Sequence, residues 1–288
     1  MILKDIEHIF HQELDAIYGS EEVGSFFNLL IQHYLDLNRI TLVLEPQLAV
    51  TKQEEQPLFE ALSRLKQEEP IQYIIGETAF FGLQFKVTKD TLIPRPETEE
   101  LVAWVLKTEG LATQTPLRVL DVGTGSGCIA ISLATQLPQA EVYAVDISKK
   151  ALEVARVNAQ INKAPVVFVE ADILQLHQPW LETKNGFFDV VVSNPPYVRQ
   201  LEKAYMRNNV LNYEPHQALF VSNNKPLVFY EAIVQHAKQV LKPQGHLFFE
   251  INEYLATDMV NLLNNYGFKQ VELKTDIFGK QRMLKGIR

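Results

Sequence analysis

A tetrapeptide rich in hydrogen-bond acceptors, Asn194, Pro195, Pro196 and Tyr197, follows a mostly apolar run at residues 187–192. The Asn194 side-chain oxygen and the Pro195 carbonyl can each accept one N–H of a planar amino group, while the Tyr197 ring packs on its face. These four residues are the candidate catalytic residues. The pattern predicts a site for a planar NH2 group at the end of a buried strand, although a proline-rich turn that merely ends the strand explains the same residues.

A glycine-rich turn follows the first strand predicted in the second part of the chain, and its members are Gly123, Thr124, Gly125, Ser126 and Gly127. Glycines let a ligand approach the main chain closely, and the helix that follows can present amide N–H groups to an anion. The alternating spacing of these glycines departs from the G-x-G-x-x-G fingerprint of dinucleotide sites. The turn therefore favours a cofactor other than NAD.

Two carboxylates end the next two predicted strands. Asp146 lies ~20 residues after Gly125, where a carboxylate can accept both hydroxyls of a ribose. Asp172 is placed to accept the exocyclic amine of an adenine, and Ile173 beside it can form an apolar wall. Each residue alone is also explained by turn chemistry. Together with the glycine turn and with Asn194, they predict an adenosine site.

Alternating strands and helices must position these groups. From residue 95 onward the pattern predicts a largely parallel sheet covered by helices on both faces, with ligands at the carboxyl ends of its strands. The predicted strands are Leu117–Asp121, Glu141–Asp146, Val166–Glu170, Phe188–Ser193, His246–Asn252 and Gln270–Lys274. Residues 1–72 are predicted to form a small helical domain, because their apolar residues recur at helical spacing. Between the two, residues 73–94 predict a β-hairpin linker with short strands at Tyr73–Ile75, Ala79–Phe81 and Phe85–Val87.

Composition narrows the class of protein. The chain has 288 residues, of which 47% are hydrophobic and 22% charged, and a net charge of -8. These values are ordinary for a globular protein, and the acidic balance argues against a broad nucleic-acid-binding face. A single cysteine, Cys128, excludes an internal disulfide and a multi-thiolate metal site, so no metal is predicted. No long apolar stretch and no signal peptide are visible, which predicts a cytoplasmic protein without membrane contact.

Several motifs together carry a family resemblance. Gly123 to Gly127, Asp146 and the Asn194 to Tyr197 tetrapeptide resemble S-adenosylmethionine-dependent methyltransferases that act on planar amino groups. Leu92 to Glu99 (Leu-Ile-Pro-Arg-Pro-Glu-Thr-Glu) and Tyr213-Glu214-Pro215 resemble signatures of the HemK-type release factor N5-glutamine methyltransferases. Asn252 departs from this family, in which glycine is usual at that place, as does the 222–227 segment.

The resemblance implies an α/β fold, with a Rossmann-like class I methyltransferase domain over residues 95–288 that contains a mostly parallel seven-stranded sheet. It implies that S-adenosyl-L-methionine is the cofactor and that a glutamine of a peptide chain release factor is the methyl acceptor, so that the enzyme modifies translation termination. Two alternatives remain at this stage. One is methylation of an exocyclic amine of DNA or RNA, which uses the same tetrapeptide; the other is a cofactor-sensing protein without turnover.

Three further segments allow both a structural and a functional interpretation. Pro96 and the acids after it are sufficient to begin a helix, while the resemblance suggests that Arg95 and Glu97 close over the cofactor and the glutamine. Tyr213-Glu214-Pro215 is either a turn or part of a lid. The helical domain either covers an apolar patch or binds the protein substrate, and we expect the second role.

Overall fold

The computed structural model describes residues 1–111, 116–175, 180 and 183–288. The chain forms two compact units: the first contains 1–76 and 207–213, and the second contains 77–206 and 214–288. In the described part of the chain, no helix combines the length and the apolar character that crossing a bilayer requires.

Twelve helices and eleven strands are assigned within the described residues. The helices are α1 (Leu3–Tyr18), α2 (Ser20–Leu35), α3 (Arg39–Leu44), α4 (Lys52–Leu65), α5 (Ile71–Ile75), α6 (Pro96–Lys107), α7 (Cys128–Gln136), α8 (Lys149–Ile161), α9 (Asn208–Tyr213), α10 (His216–Leu219), α11 (Val228–Val240) and α12 (Ala256–Asn265). The strands are β1 (Glu77–Phe80), β2 (Leu83–Lys86), β3 (Arg118–Val122), β4 (Glu141–Asp146), β5 (Val166–Glu170), β6 (Phe188–Ser193), β7 (Val198–Arg199), β8 (Phe220–Val221), β9 (Leu241–Glu250), β10 (Lys269–Thr275) and β11 (Gln281–Ile287). Short 3-10 helices occur at Gln200–Tyr205 and Glu253–Leu255.

The first unit is helical, and its apolar stripes form one core that includes Leu3, Phe10, Phe27, Leu58 and Leu65. The sequence did not predict that a second piece of chain belongs to this unit. In that piece, the Tyr213 hydroxyl donates to the Gln67 carbonyl at 2.8 Å, and Arg207 lies 3.6 Å from the Glu22 carboxylate. A segment that follows the tetrapeptide in sequence therefore packs with the N-terminal helices.

The predicted strand at Tyr73–Ile75 is wrong, because these residues end helix α5. Ile71 and Ile74 are both buried in the helical core at a spacing of one helical turn, and Gly76 ends the helix in a left-handed conformation with φ 82°. A short apolar run does not distinguish a strand from a buried helix. The hairpin consists of β1 and β2 alone and belongs to the second unit. The linker predicted to span residues 73–94 thus begins within the helical unit.

A seven-stranded sheet forms the centre of the second unit, in the order β10-β11-β9-β6-β3-β4-β5. The neighbours from β9 to β5 pair in parallel, whereas β11 pairs antiparallel with β9 and β10. The predicted mostly parallel sheet is confirmed. The six strands inferred from periodicity are all present, although the fifth begins earlier, at Leu241, and ends at Glu250. Within this sheet, β11 is the strand that periodicity missed.

Both faces of this sheet are covered by helices. Successive side chains of a strand point to opposite faces, so each strand contributes to two apolar cores. Val119, Val190 and Val192 pack on one side with α6 and α7, while Leu120 and Val191 pack on the other with α11 and α12. Every residue of the central strand β6 is buried. The polar groups at the carboxyl ends of β3, β4 and β6 are consequently held at one edge of a rigid sheet.

Candidate active site

The glycine-rich turn after β3 has the backbone that its sequence predicts. Gly123, Gly125 and Gly127 have φ values of 74°, 56° and 84°, a region that side chains disfavour. At Gly127 a Cβ atom would also come within 2.8 Å of Ile131 Cδ1 and 3.2 Å of Ala155 Cβ. The positive φ and the close approach of α7 and α8 both favour glycine at residue 127.

Asp146, at the end of β4, fastens this turn to the next strand. Its Oδ2 accepts the Gly125 N–H at 2.8 Å, and its Oδ1 accepts the Ser148 N–H at 2.8 Å. Burial raises the pKa of Asp146, and these backbone hydrogen bonds oppose the rise. Each carboxylate oxygen can accept a second hydrogen bond. The residue is thus fixed in place and still able to accept two hydroxyls.

The remaining members of the turn have structural partners. The Thr124 hydroxyl donates to Asp121 Oδ2 at 2.6 Å, and the Ser126 carbonyl accepts from Asn158 Nδ2 at 2.9 Å. Asp121 is fully buried, and this burial raises its pKa to about 7. Asn158 also accepts the Lys86 N–H at 2.7 Å and so joins the β1–β2 hairpin to the turn.

A pocket lies at the carboxyl edge of the sheet, and its empty space amounts to 1070 Å³ with the open mouth included. The sequence-predicted residues that line the pocket are Gly123, Gly125, Asp146, Asp172, Ile173, Asn194, Pro195 and Pro196. Four predicted site residues contribute no lining: Thr124, Ser126, Gly127 and Tyr197. The predicted cofactor residues and the Asn-Pro-Pro segment thus share one cavity.

Asp172 and Ile173 lie just beyond β5, on the opposite side of β4 from Asn194. Asp172 Oδ1 accepts the Leu174 N–H at 3.0 Å, which fixes the loop. Ile173 and Leu174 add apolar lining beside this carboxylate, as does Ile147 beside Asp146. An acceptor flanked by apolar side chains suits the polar edge and the flat face of a heterocyclic ring.

The tetrapeptide is held by side chains that are distant in sequence. Ser193, just before it, donates its hydroxyl to the Val122 carbonyl at 2.6 Å. Asn194 Nδ2 donates to Thr98 Oγ1 at 3.2 Å, and the Thr98 hydroxyl donates to Glu250 Oε2 at 2.6 Å. The Tyr197 hydroxyl donates to Glu250 Oε1 at 2.9 Å. One buried carboxylate thereby connects both ends of the motif.

Burial dominates the electrostatics of this network. It raises the pKa of Glu250 and raises that of Tyr197 well above the usual range of a phenol. Hydrogen bonds from Thr98 and Tyr197, together with the charge of Arg282, oppose the rise at Glu250. Asn252 Nδ2 donates to the Tyr197 carbonyl at 3.1 Å, so the asparagine that departs from the family pattern also holds the motif.

A second carboxylate, Glu214, joins two segments around the pocket. It is 4% exposed; its Oε2 accepts the Ile93 N–H at 3.2 Å, and its Oε1 is paired with the Arg95 guanidinium. Leu92 on one side and Pro215 on the other line the pocket. Arg95 and the Tyr213-Glu214-Pro215 segment are therefore linked, with Glu214 as the connection.

Sequence reasoning missed Thr98, Glu250, Asn158 and the function of Glu214. Thr98 and Glu214 lie inside segments that were singled out, but no spacing indicated their partners. Glu250 offered one signal: it is an acid at the end of an apolar strand, directly after Phe248 and Phe249. A charge in that position is buried and needs a partner.

Comparisons with known proteins agree with this architecture. Residues 114–283 match the model of a methyltransferase domain family, and residues 11–76 match that of the PrmC N-terminal domain. A release factor glutamine methyltransferase of Flavobacterium psychrophilum is 48% identical over 286 residues and covers 99% of both chains. Its counterpart from Bacteroides thetaiotaomicron is 40% identical, covering 96% of this chain and 97% of its own.

Among solved structures, a methyltransferase from Pyrococcus furiosus superposes with a TM-score of 0.51 at 18% identity, covering 82% of this chain and 98% of that one. The catalytic domain of human METTL16, solved with an RNA hairpin, gives a TM-score of 0.53 at 20% identity and covers 72% and 75%. At these identities the likeness concerns the fold.

Proposed function

From the premise that this chain belongs to the release factor glutamine methyltransferases, we propose that it transfers a methyl group from S-adenosyl-L-methionine to the side-chain amide nitrogen of a glutamine in a peptide chain release factor. The observation that carries the proposal is the shared cavity: Asp146 and Asp172 line it together with Asn194 and Pro195. Groups suited to an adenosine and to a planar amide are thereby brought within one site.

The residues present fit the proposed cofactor. Asp146 keeps lone pairs for the two ribose hydroxyls, and Asp172 with Ile173 supplies an acceptor and an apolar wall for the adenine. Gly123 and Gly125 allow close approach of the methionine part to the main chain. S-adenosylmethionine supplies a methyl group on a positively charged sulfur.

An amide nitrogen is a poor nucleophile, because its lone pair is shared with the adjacent carbonyl. The Asn194 side-chain oxygen and the Pro195 carbonyl would accept its two N–H groups, orient the lone pair and stabilise the positive charge that grows on nitrogen. The cofactor would supply its methyl group to this nitrogen and leave as a neutral thioether, and the nitrogen would then lose a proton to water. A general base is not needed, since the methylated nitrogen is strongly acidic at that moment.

Tyr197 has a supporting part in this proposal rather than the direct one predicted from sequence. Its hydroxyl is bonded to Glu250, and its ring packs with the apolar core of the second unit. We therefore assign the amide contacts to Asn194, Pro195 and Pro196, which line the pocket, and assign to Tyr197 the task of holding their backbone.

The helical unit is proposed to bind the release factor. A glutamine side chain offers little surface, so selecting one within a large protein needs contacts away from the reacting nitrogen. The described residues that line the pocket all belong to the second unit, which leaves the helical unit available for such contacts. Val43 and Leu44 of α3, 77% and 74% exposed, are the candidate contact residues.

The experiment that tests the function is mass spectrometry of a recombinant release factor after incubation with the protein and S-adenosylmethionine. We expect one added methyl group on a glutamine. Total DNA and RNA, incubated in parallel with labelled cofactor, test the alternative of exocyclic-amine methylation. Label in nucleic acid with none in the release factor contradicts the proposal.

A further inference from the structure

We propose that Thr98 and Glu250 are positioning residues that set the direction of the Asn194 amide, so that its oxygen and not its nitrogen meets the substrate. This inference rests on the proposed function, because it concerns which atom of Asn194 accepts the substrate N–H. Neither Thr98 nor Glu250 lines the pocket, and both are 2% exposed.

The hydrogens available on Thr98 and Glu250 determine which end of the Asn194 amide faces Thr98. A threonine hydroxyl has one hydrogen to donate, and an ionised carboxylate can only accept. The Thr98 hydroxyl gives its hydrogen to Glu250 Oε2 at 2.6 Å. Towards Asn194, at 3.2 Å, it can therefore act only as an acceptor, so the group that faces it must be the Nδ2 amine. The Oδ1 atom is then left to accept from the substrate.

If the Asn194 side-chain amide were reversed, it could not accept an N–H of the substrate. It would present an NH2 group to the substrate NH2 group, and two donors cannot bond to each other. Because an asparagine amide has nearly the same shape in either direction, packing alone cannot exclude the reversed form. The two hydrogen bonds that join Asn194 to Thr98 and Thr98 to Glu250, called the relay below, fix the direction of the amide.

The direction of these two hydrogen bonds depends on Glu250 remaining an acceptor. Its Oε1 also accepts from the Tyr197 hydroxyl, and its carbonyl accepts from the Tyr230 hydroxyl at 3.0 Å. Burial raises the pKa of Glu250, and the charge of Glu97 acts in the same direction, whereas the hydrogen bonds from Thr98 and Tyr197 and the charge of Arg282 favour the ionised carboxylate. A neutral carboxyl could donate to Thr98, which would then donate to Asn194 and turn the amide round.

The matched pair Thr98→Val and Thr98→Ser tests the relay. Valine keeps the shape of threonine without the hydroxyl, while serine keeps the hydroxyl. We expect kcat of the valine variant to fall by ~10- to 100-fold, the scale on which a mispositioned contact slows transfer. The KM for the release factor and the affinity for S-adenosylmethionine should remain at parent values, and serine should restore kcat.

Asn194→Ala, measured alongside, separates the relay from the proposed function. If this variant transfers methyl at the parent rate, the amide contact itself is wrong. If it is slow while Thr98→Val keeps the parent kcat, the relay is wrong and the proposed function stands. A valine variant that loses cofactor affinity and thermal stability but keeps kcat likewise contradicts the relay, since its role is then structural.

Should the valine variant fail to fold, Glu250→Gln decides. A glutamine amide can present its NH2 group to Thr98, which frees the Thr98 hydroxyl to donate to Asn194 and reverse it. We expect a fall in kcat of ~10-fold with cofactor binding retained. An unchanged kcat in this variant overturns the inference.

Discussion

The two halves of the pocket are built by different means. The half assigned to the cofactor is shaped by main chain: three left-handed glycines and backbone N–H groups that bond to Asp146. The half assigned to the methyl acceptor is shaped by side chains, in which Asn194 depends on Thr98 and Glu250. The first half is specified locally, and the second requires residues from three distant parts of the sequence.

This difference has a chemical reason. A cofactor must be bound tightly and presents a carboxylate, hydroxyls and a ring, to which backbone groups and single acceptors are sufficient. The acceptor nitrogen must be aimed, and a side-chain amide has two directions of nearly equal shape. Aiming therefore needs a buried polar network, which is costly unless each member has a partner.

The largest effect is expected at Gly127, in the half of the pocket that main chain shapes. Gly127→Ala adds a Cβ at φ 84° and within 2.8 Å of Ile131, so we expect ~2–5 kcal/mol of lost stability and weakened cofactor binding. Gly279→Ala is the control, because φ there is 78° with nothing within 4 Å of the added atom. Urea unfolding of both variants measures the difference, and equal losses would mean that overlap contributes nothing.

In the half of the pocket that side chains shape, Asn194→Ala removes the proposed amide contact directly. We expect the methyl-transfer rate to fall ~100-fold or more, the scale of losing one electrostatic contact in a transition state. Cofactor titration should give nearly the parent affinity. Asn261→Ala, at an exposed position of α12, is the control and should behave as the parent. A parent rate in the Asn194 variant would show that this half does not aim the amide.

Asp146→Ala should produce the opposite pattern. Removing this carboxylate takes away acceptors from Gly125 and Ser148 as well as from the ribose, so cofactor affinity should fall ~10-fold or more. With saturating cofactor, kcat should fall much less. Glu153→Ala, which removes an exposed charge on α8, controls for net charge. An unchanged cofactor affinity in the Asp146 variant removes the ribose assignment.

Asp121 is expected to make the stability of the protein depend on pH. Burial raises its pKa to about 7, whereas an unfolded aspartate has a pKa of ~4. The folded state therefore binds the proton more tightly, so the stability from Asp121 is present below pH ~4 and is lost as pH rises through about 7. We expect Asp121→Asn to gain stability relative to the parent between pH 5 and pH 8. Urea titrations at both pH values test this, and a constant difference contradicts it.

The sequence allowed the main-chain half to be predicted more completely. The glycines, Asp146, Asp172 and Ile173 all follow strands that periodicity identified, and a parallel sheet brings strand ends together. Asn194 was predicted as a site residue because the tetrapeptide is contiguous. Its supporting residues were not found, because hydrogen bonds between residues so far apart leave no periodic trace.

Two errors of the fold prediction have the same physical origin. Tyr73–Ile75 is too short for its apolar pattern to separate helix from strand, and its burial among other helices decided the outcome. β11 alternates weakly, because Met283 and Leu284 are both buried while Gln281 is exposed. Tertiary packing determines local structure in both cases.

The placement of residues 207–213 has a consequence for how the protein is synthesised. These residues complete the first unit, but they emerge from the ribosome only after four of the seven strands of the large sheet have been translated. Folding as the chain emerges usually proceeds domain by domain from the N-terminus. Here the hydrogen bond from Tyr213 to the Gln67 carbonyl cannot form until ~140 residues after Gln67 have been synthesised. The first unit therefore cannot be completed until four of the seven strands of the large sheet have been translated.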